Sequence, residues 1–231
     1  MKLVVFDLDG TLAQTDRVDG ECFTLAVAEV LPLTLLDQEW DGYEHVTDEG
    51  ITHQLFKRRF GRHPAPDETA RIVNRFMDLL AERHASDTSD FSEIAGAGAL
   101  VNRLKEDPTW RIALATGAWR RAAEFKIQRA VLPLEGVPSA YAEDGPSREA
   151  IVRTSIERAV QTYGASGFER IVCVGDAPWD VRTARNLTLP FIGIGSGQRA
   201  GLLRDNGARH VIEDYQDMAQ CLRYLEEAET P

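Results

Sequence analysis

Long apolar runs are missing from this 231-residue chain, and that absence narrows its class first. No segment approaches the ~20 residues needed to span a bilayer, so no membrane association is expected. Cysteine is scarce: Cys22, Cys173 and Cys221 are widely spaced and lie outside any Cys-x-x-Cys pair. They read as reduced thiols, not as a disulfide framework or a zinc site. The opening run Met1-Lys2-Leu3-Val4-Val5-Phe6 meets Asp7 where the apolar segment of a signal peptide would continue, which gives a cytoplasmic expectation. Positive charge is also short, with 26 Lys and Arg against 37 Asp and Glu and a net charge of −11. Binding to a nucleic-acid duplex needs clustered cations, so no nucleic-acid partner is expected. A small anionic substrate remains compatible if a few cations or a metal gather at its site. With 43% hydrophobic and 27% charged residues, disordered and collagen-like chains are excluded.

What is present is an alternation of buried-strand and helix patterns. Leu3–Phe6 is a solid apolar run, the pattern of a strand buried on both faces of a parallel sheet. Similar runs follow at Ile112–Ala115, more weakly at Ser139–Ala142, then at Ile171–Val174 and Phe191–Ile194, with His210–Ile212 as a short edge strand. Residues 147–163 carry Val152, Ile156, Ala159 and Tyr163 on one helical stripe. Strands alternating with helices predict a doubly wound, mainly parallel α/β sheet. Residues 15–88 interrupt this alternation with helical patterns near 20–31, 47–60 and 67–84 and no convincing strand. We therefore expect a core formed by residues 1–14 and 89–231, with residues 15–88 inserted as a helical domain directly after the first strand.

The polar residues that end these strands carry the functional signal. In open α/β sheets the ligand crevice lies at the carboxyl ends of the strands, near the switch point of strand order. Here those ends bear Asp7 and Asp9, Thr116 with Gly117, and Asp176 with Asp180. Pro178 suits the first turn of a helix, which lets Asp176 and Asp180 face the same volume. Carboxylates gathered in this way repel one another unless a hard cation joins them. Mg²⁺ suits such a set, since it takes one or two carboxylates together with phosphate oxygens and waters.

These segments resemble, in order, the four motifs of the haloacid dehalogenase superfamily. The similarity is to its phosphatase branch with a helical cap, the branch of phosphoglycolate phosphatases and β-phosphoglucomutases. Asp7-Leu8-Asp9-Gly10-Thr11 looks like the first motif and Leu114-Ala115-Thr116-Gly117 like the second. Arg148 fits the third, and Gly175-Asp176-Ala177-Pro178-Trp179-Asp180 looks like the fourth. The first motif is specific: Asp-x-Asp-Gly-Thr arises by chance in roughly one chain of this length in ~400. The resemblance covers nearly the whole chain and implies a Rossmann-like core with an inserted cap. It also implies a Mg²⁺-dependent phosphatase acting on a small phosphorylated metabolite. Asp7 would be the nucleophile that forms an aspartyl phosphate, and Asp9 the acid and base. Thr116, Gly117 and Arg148 would hold the phosphoryl group. Asp7, the Asp9 carbonyl, Asp176 and Asp180 would hold the metal, with Asp180 either a direct ligand or a holder of its waters.

The third motif most often has lysine, and this chain has only Lys2, Lys57, Lys105 and Lys126. Lys126 falls in the middle of the helix after the second motif, poorly placed to reach a strand end; it is expected on the helix surface, with the alternative that it and not Arg148 supplies the third-motif cation. Arg148 follows Pro146-Ser147 at a helix start and offers phosphate a bidentate fork. In the inserted segment His45, Thr47 and Asp48 are candidates for substrate specificity, with Thr47 or Asp48 alternatively a simple helix cap. Lys57-Arg58-Arg59 reads as a solvated face, with a binding patch as the alternative. Trp119 and Trp179 either wall the pocket or fill helix-to-sheet packing. The rival activities are a β-phosphoglucomutase-like phosphomutase, a phosphonoacetaldehyde-type hydrolase whose Schiff-base lysine could only be Lys57, and a non-catalytic phosphate-binding regulator. Dehalogenation fits poorly with Asp9 and the acidic fourth motif. The expected assembly is a monomer or a homodimer.

Overall fold

The computed structural model describes residues 1–31 and 40–231; part of the expected insertion, 32–39, lies outside the described residues. The sheet has six parallel strands: β1 (Lys2–Phe6), β2 (Trp110–Ala115), β3 (Ser139–Ala140), β4 (Arg170–Gly175), β5 (Phe191–Ile194) and β6 (His210–Ile212). Their order is β3-β2-β1-β4-β5-β6. The chain winds outward from β1 through β2 to β3, then returns to the other side of β1 at β4, so the switch point lies between β1 and β4. Register places Phe6 opposite both Leu114 and Val174. The residues just beyond those positions, which include Asp7, Thr116 and Asp176, are thereby brought to one edge.

The apolar runs are buried on both faces, as their lack of alternation requires. Val4 and Phe6 point into one core with Leu100 and Leu104 of α4 (Ala97–Glu106). Leu3 and Val5 point into the other with Ile151 and Ala159 of α6 (Arg148–Tyr163). The third strand is shorter than its pattern, because Ala142–Asp144 turns into a 3₁₀ segment. The edge strand His210–Ile212 occurs as expected. Among the described residues, no helix is long and apolar enough to cross a membrane.

Between β1 and β2 the described residues form α1 (Asp16–Val30), α2 (Asp48–Phe60) and α3 (Pro66–Ser86) before α4. α1 starts four residues earlier than its apolar pattern predicts, because its first turn carries Asp16 and Asp19, which face the site and not the core. Thr47 caps α2 by accepting from the Gly50 N–H, and Gly61 ends it in the left-handed region. Pro66 opens α3, and Glu68 reaches back to the Ala65 N–H. Phe23, Phe56 and Phe76 of these helices share a core with Trp119 and Ala122. The outgoing and returning chains lie side by side: Gln14 N–H donates to the Ser92 carbonyl and Ile94 N–H to the Leu12 carbonyl.

Candidate active site

A cavity of about 590 Å³ opens at the carboxyl edge of the sheet, beneath α1 and the start of α2. Its floor holds Asp7, Asp9, Thr116, Arg148 and Asp176. Two glycines permit this crowding. Gly10 sits at φ 71°, and a Cβ there would lie 2.2 Å from Asp176 Oδ2. A Cβ on Gly117 would meet Arg148 Nη2 at 2.9 Å and the Val46 carbonyl at 3.0 Å.

Carboxylate oxygens of Asp7, Asp176 and Asp180 lie within 4.8 Å of one another, and all three residues are buried. Asp180 stands in the first turn of α7 (Pro178–Leu187). Its Oδ2 accepts the Asp176 and Ala177 N–H groups, while its Oδ1 takes Arg148 Nη1 at 2.7 Å. It therefore shapes the turn that presents Asp176 as well as adding charge. Among the described residues, Asp7 Oδ1 is buried and accepts no hydrogen bond, and its closest cation there, Arg148 Nη1, is 3.5 Å away. Burial and the charge of Asp180 push the Asp7 carboxyl up to about 8, against the pull of Arg148. Burial likewise holds Asp176 and Asp180 above their ordinary values. A buried acceptor without a donor, inside a set of carboxylates that resist ionisation together, fits a hard divalent cation such as Mg²⁺.

This electrostatic arrangement has a measurable consequence. The folded chain holds protons on these carboxyls that the unfolded chain releases near 3.8. Without a cation, its stability falls as pH rises from about 4 toward about 8, since the folded state binds more protons over that window. Calorimetry in EDTA should show a lower Tm near pH 8 than near pH 5, and added Mg²⁺ should raise Tm most at the higher pH. A Tm that climbs across this range in EDTA would contradict the assignment.

Arg148 is only 16% exposed, and its Nε donates to the Val46 carbonyl, so it ties the chain just before α2 to the carboxyl edge of the sheet as it faces Asp7 and Asp180. Thr116 lines the floor, its hydroxyl accepting the Ala118 N–H. Thr47 and Asp48 line the cavity wall, whereas His45 lies outside that lining. Asp48 is also a docking residue: its N–H donates to the Gly117 carbonyl and its Oδ2 accepts the Trp119 N–H. Trp179 lines the cavity under the Arg148 guanidinium, and Trp119 is buried in the helical core. Lys57 is exposed on α2 and away from the cavity.

Lys126 departs from its sequence reading. It is not a surface residue: on α5 (Arg120–Arg129) its side chain is fully buried. Its Nζ lies 2.6 Å from Asp9 Oδ2 and 2.5 Å from Asp19 Oδ1. Burial works to lower its basicity, but the charges of Asp19, Asp9 and Asp48 outweigh it and push the amine up. Ala122, Ala123 and Lys126 share the buried face of α5. Arg199, in the first turn of α8 (Gly197–Asp205), also escaped the sequence reading. It pairs with Asp176 at 3.0 Å and with Asp16 of α1 at 2.5 Å. Its position after β5, at the same edge of the sheet, was the available clue.

The model of the haloacid dehalogenase-like hydrolase family matches residues 1–188. Among solved structures, the chain is similar to a hydrolase from Pseudomonas syringae, with 22% identity, 98% of this chain and 99% of that one covered, and a TM-score of 0.69. It is also similar to CbbY from Rhodobacter sphaeroides in complex with phosphate, with 20% identity, 94% and 95% covered, and a TM-score of 0.66. A third likeness is to a predicted phosphoglycolate phosphatase from Haemophilus somnus, at 14% identity, 96% and 98% covered, and a TM-score of 0.63. At these identities the structures speak for the fold alone. No curated protein matched. Since the family match spans most of the chain and takes in every carboxylate of the cavity floor, this protein belongs to the haloacid dehalogenase-like hydrolases.

Proposed function

We propose that the protein is a phosphatase that hydrolyses a small phosphorylated metabolite through an aspartyl phosphate on Asp7, working with Mg²⁺ in the cytoplasm. The observation that carries this reading is the buried, unpartnered Oδ1 of Asp7 at the end of β1, grouped with Asp176 and Asp180 and faced by Arg148. In this reading residues 15–88 act as a cap domain over a core of 1–14 and 89–231. The cap contributes Thr47 and Asp48 to the wall that meets the leaving group.

In the first step a carboxylate oxygen of Asp7 attacks phosphorus, and the bond to the substrate's ester oxygen breaks. Asp9 gives its proton to the departing alcohol, then takes one from the water that attacks the aspartyl phosphate. That second attack breaks the Asp7–phosphorus bond and releases inorganic phosphate. Arg148, the Thr116 hydroxyl and nearby N–H groups hold the phosphoryl oxygens throughout, because positioning and charge neutralisation dominate such transfers. Asp7, Asp176, Asp180 and the Asp9 carbonyl would hold Mg²⁺, which would let the phosphoryl group approach this acidic floor. The exposure of Lys57 argues against a Schiff-base hydrolase.

The test is a screen of phosphorylated metabolites with purified protein and Mg²⁺, reading inorganic phosphate. Release from at least one ester is expected, lost in EDTA and inhibited by BeF₃⁻ with Mg²⁺, which copies the aspartyl phosphate. Isomer formation without phosphate release would favour the phosphomutase. Activity indifferent to both EDTA and BeF₃⁻ would overturn the mechanism.

A further inference from the structure

We infer that Lys126 is a positioning residue, a buried post that fixes the carboxylate of Asp9 and anchors it to α1. The inference rests on the reading of Asp9 as the acid and base given above. An ammonium withdrawn from water is stable only when paired, and Lys126 has two short contacts, to Asp9 Oδ2 and Asp19 Oδ1. The Thr15 hydroxyl donates to the other oxygen, Asp9 Oδ1, at 2.5 Å. With both oxygens held, the plane of the Asp9 carboxylate is set.

The post itself is rigid. α5 packs Ala122 and Ala123 without exposure, which gives Lys126 a fixed base behind the cavity. Its two partners bracket the stretch from Asp9 to Asp19, where the chain leaves the sheet and enters the inserted helices. One ammonium thus joins three elements: the loop after β1, the first turn of α1, and the helix that follows Thr116 and Gly117. Lys126 does not line the cavity, whereas its partners Asp9 and Asp19 do, so its influence on substrate runs through these carboxylates, and on leaving-group protonation through Asp9.

A misplacement of ~1 Å at a reacting group can cost ~10²-fold, and the loss should follow how much the leaving group needs its proton. The experiment compares kcat/KM, which reports the first transfer, for a primary alkyl phosphate and for p-nitrophenyl phosphate. In Lys126→Met the alkyl ester should lose ~10²-fold and the aryl ester less than ~10-fold. Lys126→Arg should restore part of the alkyl rate by keeping a charged donor. Asp9→Asn, run in parallel, should show the same contrast between esters. Where Lys126→Met does not fold, Asp19→Asn reads the same contrast at smaller size, since an amide still accepts but holds the ammonium less firmly. Equal losses for both esters, or none, in the folded variants would overturn the positioning role. If Asp9→Asn alone kept the contrast, the phosphatase reading would stand while this inference failed. A wild-type protein that hydrolyses neither ester would overturn both.

Discussion

Asp7→Asn is expected to lower turnover by ~10²-fold or more, a barrier rise of at least ~2.7 kcal/mol. An amide is a poor nucleophile and a poor ligand for a hard cation, so one substitution removes both functions assigned to this side chain. The variant should remain folded. Burial already pushes the Asp7 carboxyl up to about 8, and replacing it with a neutral group relieves repulsion from the neighbouring Asp180 and Asp9. A thermal midpoint in EDTA at or above that of the wild type, together with the lost activity, is the expected pair of results. Retention of more than a hundredth of wild-type turnover would remove Asp7 from the role of nucleophile.

Arg148→Met is expected to lower turnover by ~10²–10³, of the order seen when one donor to a developing oxyanion is removed. The variant deletes the cation nearest the unpartnered Asp7 oxygen and leaves Asp180 Oδ1 without its partner. Because Arg148 Nε also holds the Val46 carbonyl, loosened docking of α2 should raise KM as well as lower kcat. Arg148→Lys should recover much of kcat but less of KM, since a lysine supplies the charge without the fork that reaches Val46. Steady-state kinetics on folded variants checks both. Near-normal kcat in Arg148→Met would exclude it from phosphoryl binding.

The fold was legible where one kind of burial dominates. Leu3–Phe6, Ile171–Val174 and Phe191–Ile194 lie in a sheet covered on both faces, so their apolar runs are unbroken and their polar ends stand out. Asp7, Thr116, Asp176 and Asp180 follow from that rule, and the structure places them together. Legibility failed where a polar residue faces inward for a reason far away in the chain. The first turn of α1 fell outside the helical pattern near 20–31 because Asp16 and Asp19 turn toward Arg199 and Lys126. Lys126 looked like a solvated helix residue because its partners are 117 and 107 positions away. A lysine inside an apolar stripe has no local signature that separates a surface residue from a buried pair. The double use of Asp48, which lines the cavity and clamps the Gly117–Trp119 loop, was likewise open to one dimension only as a choice between specificity and capping.

The covalent intermediate decides the central claim. Asp9→Asn protein, in which hydrolysis of the aspartyl phosphate is slowed, can be mixed with Mg²⁺ and a phosphate ester that the wild type turns over, preferably one with an activated leaving group. Acid quenching and peptide mass spectrometry should then find one phosphoryl group per chain, carried by Asp7. A phosphoryl group on any other residue, or no covalent adduct while the alcohol is released in an initial burst, would contradict the account.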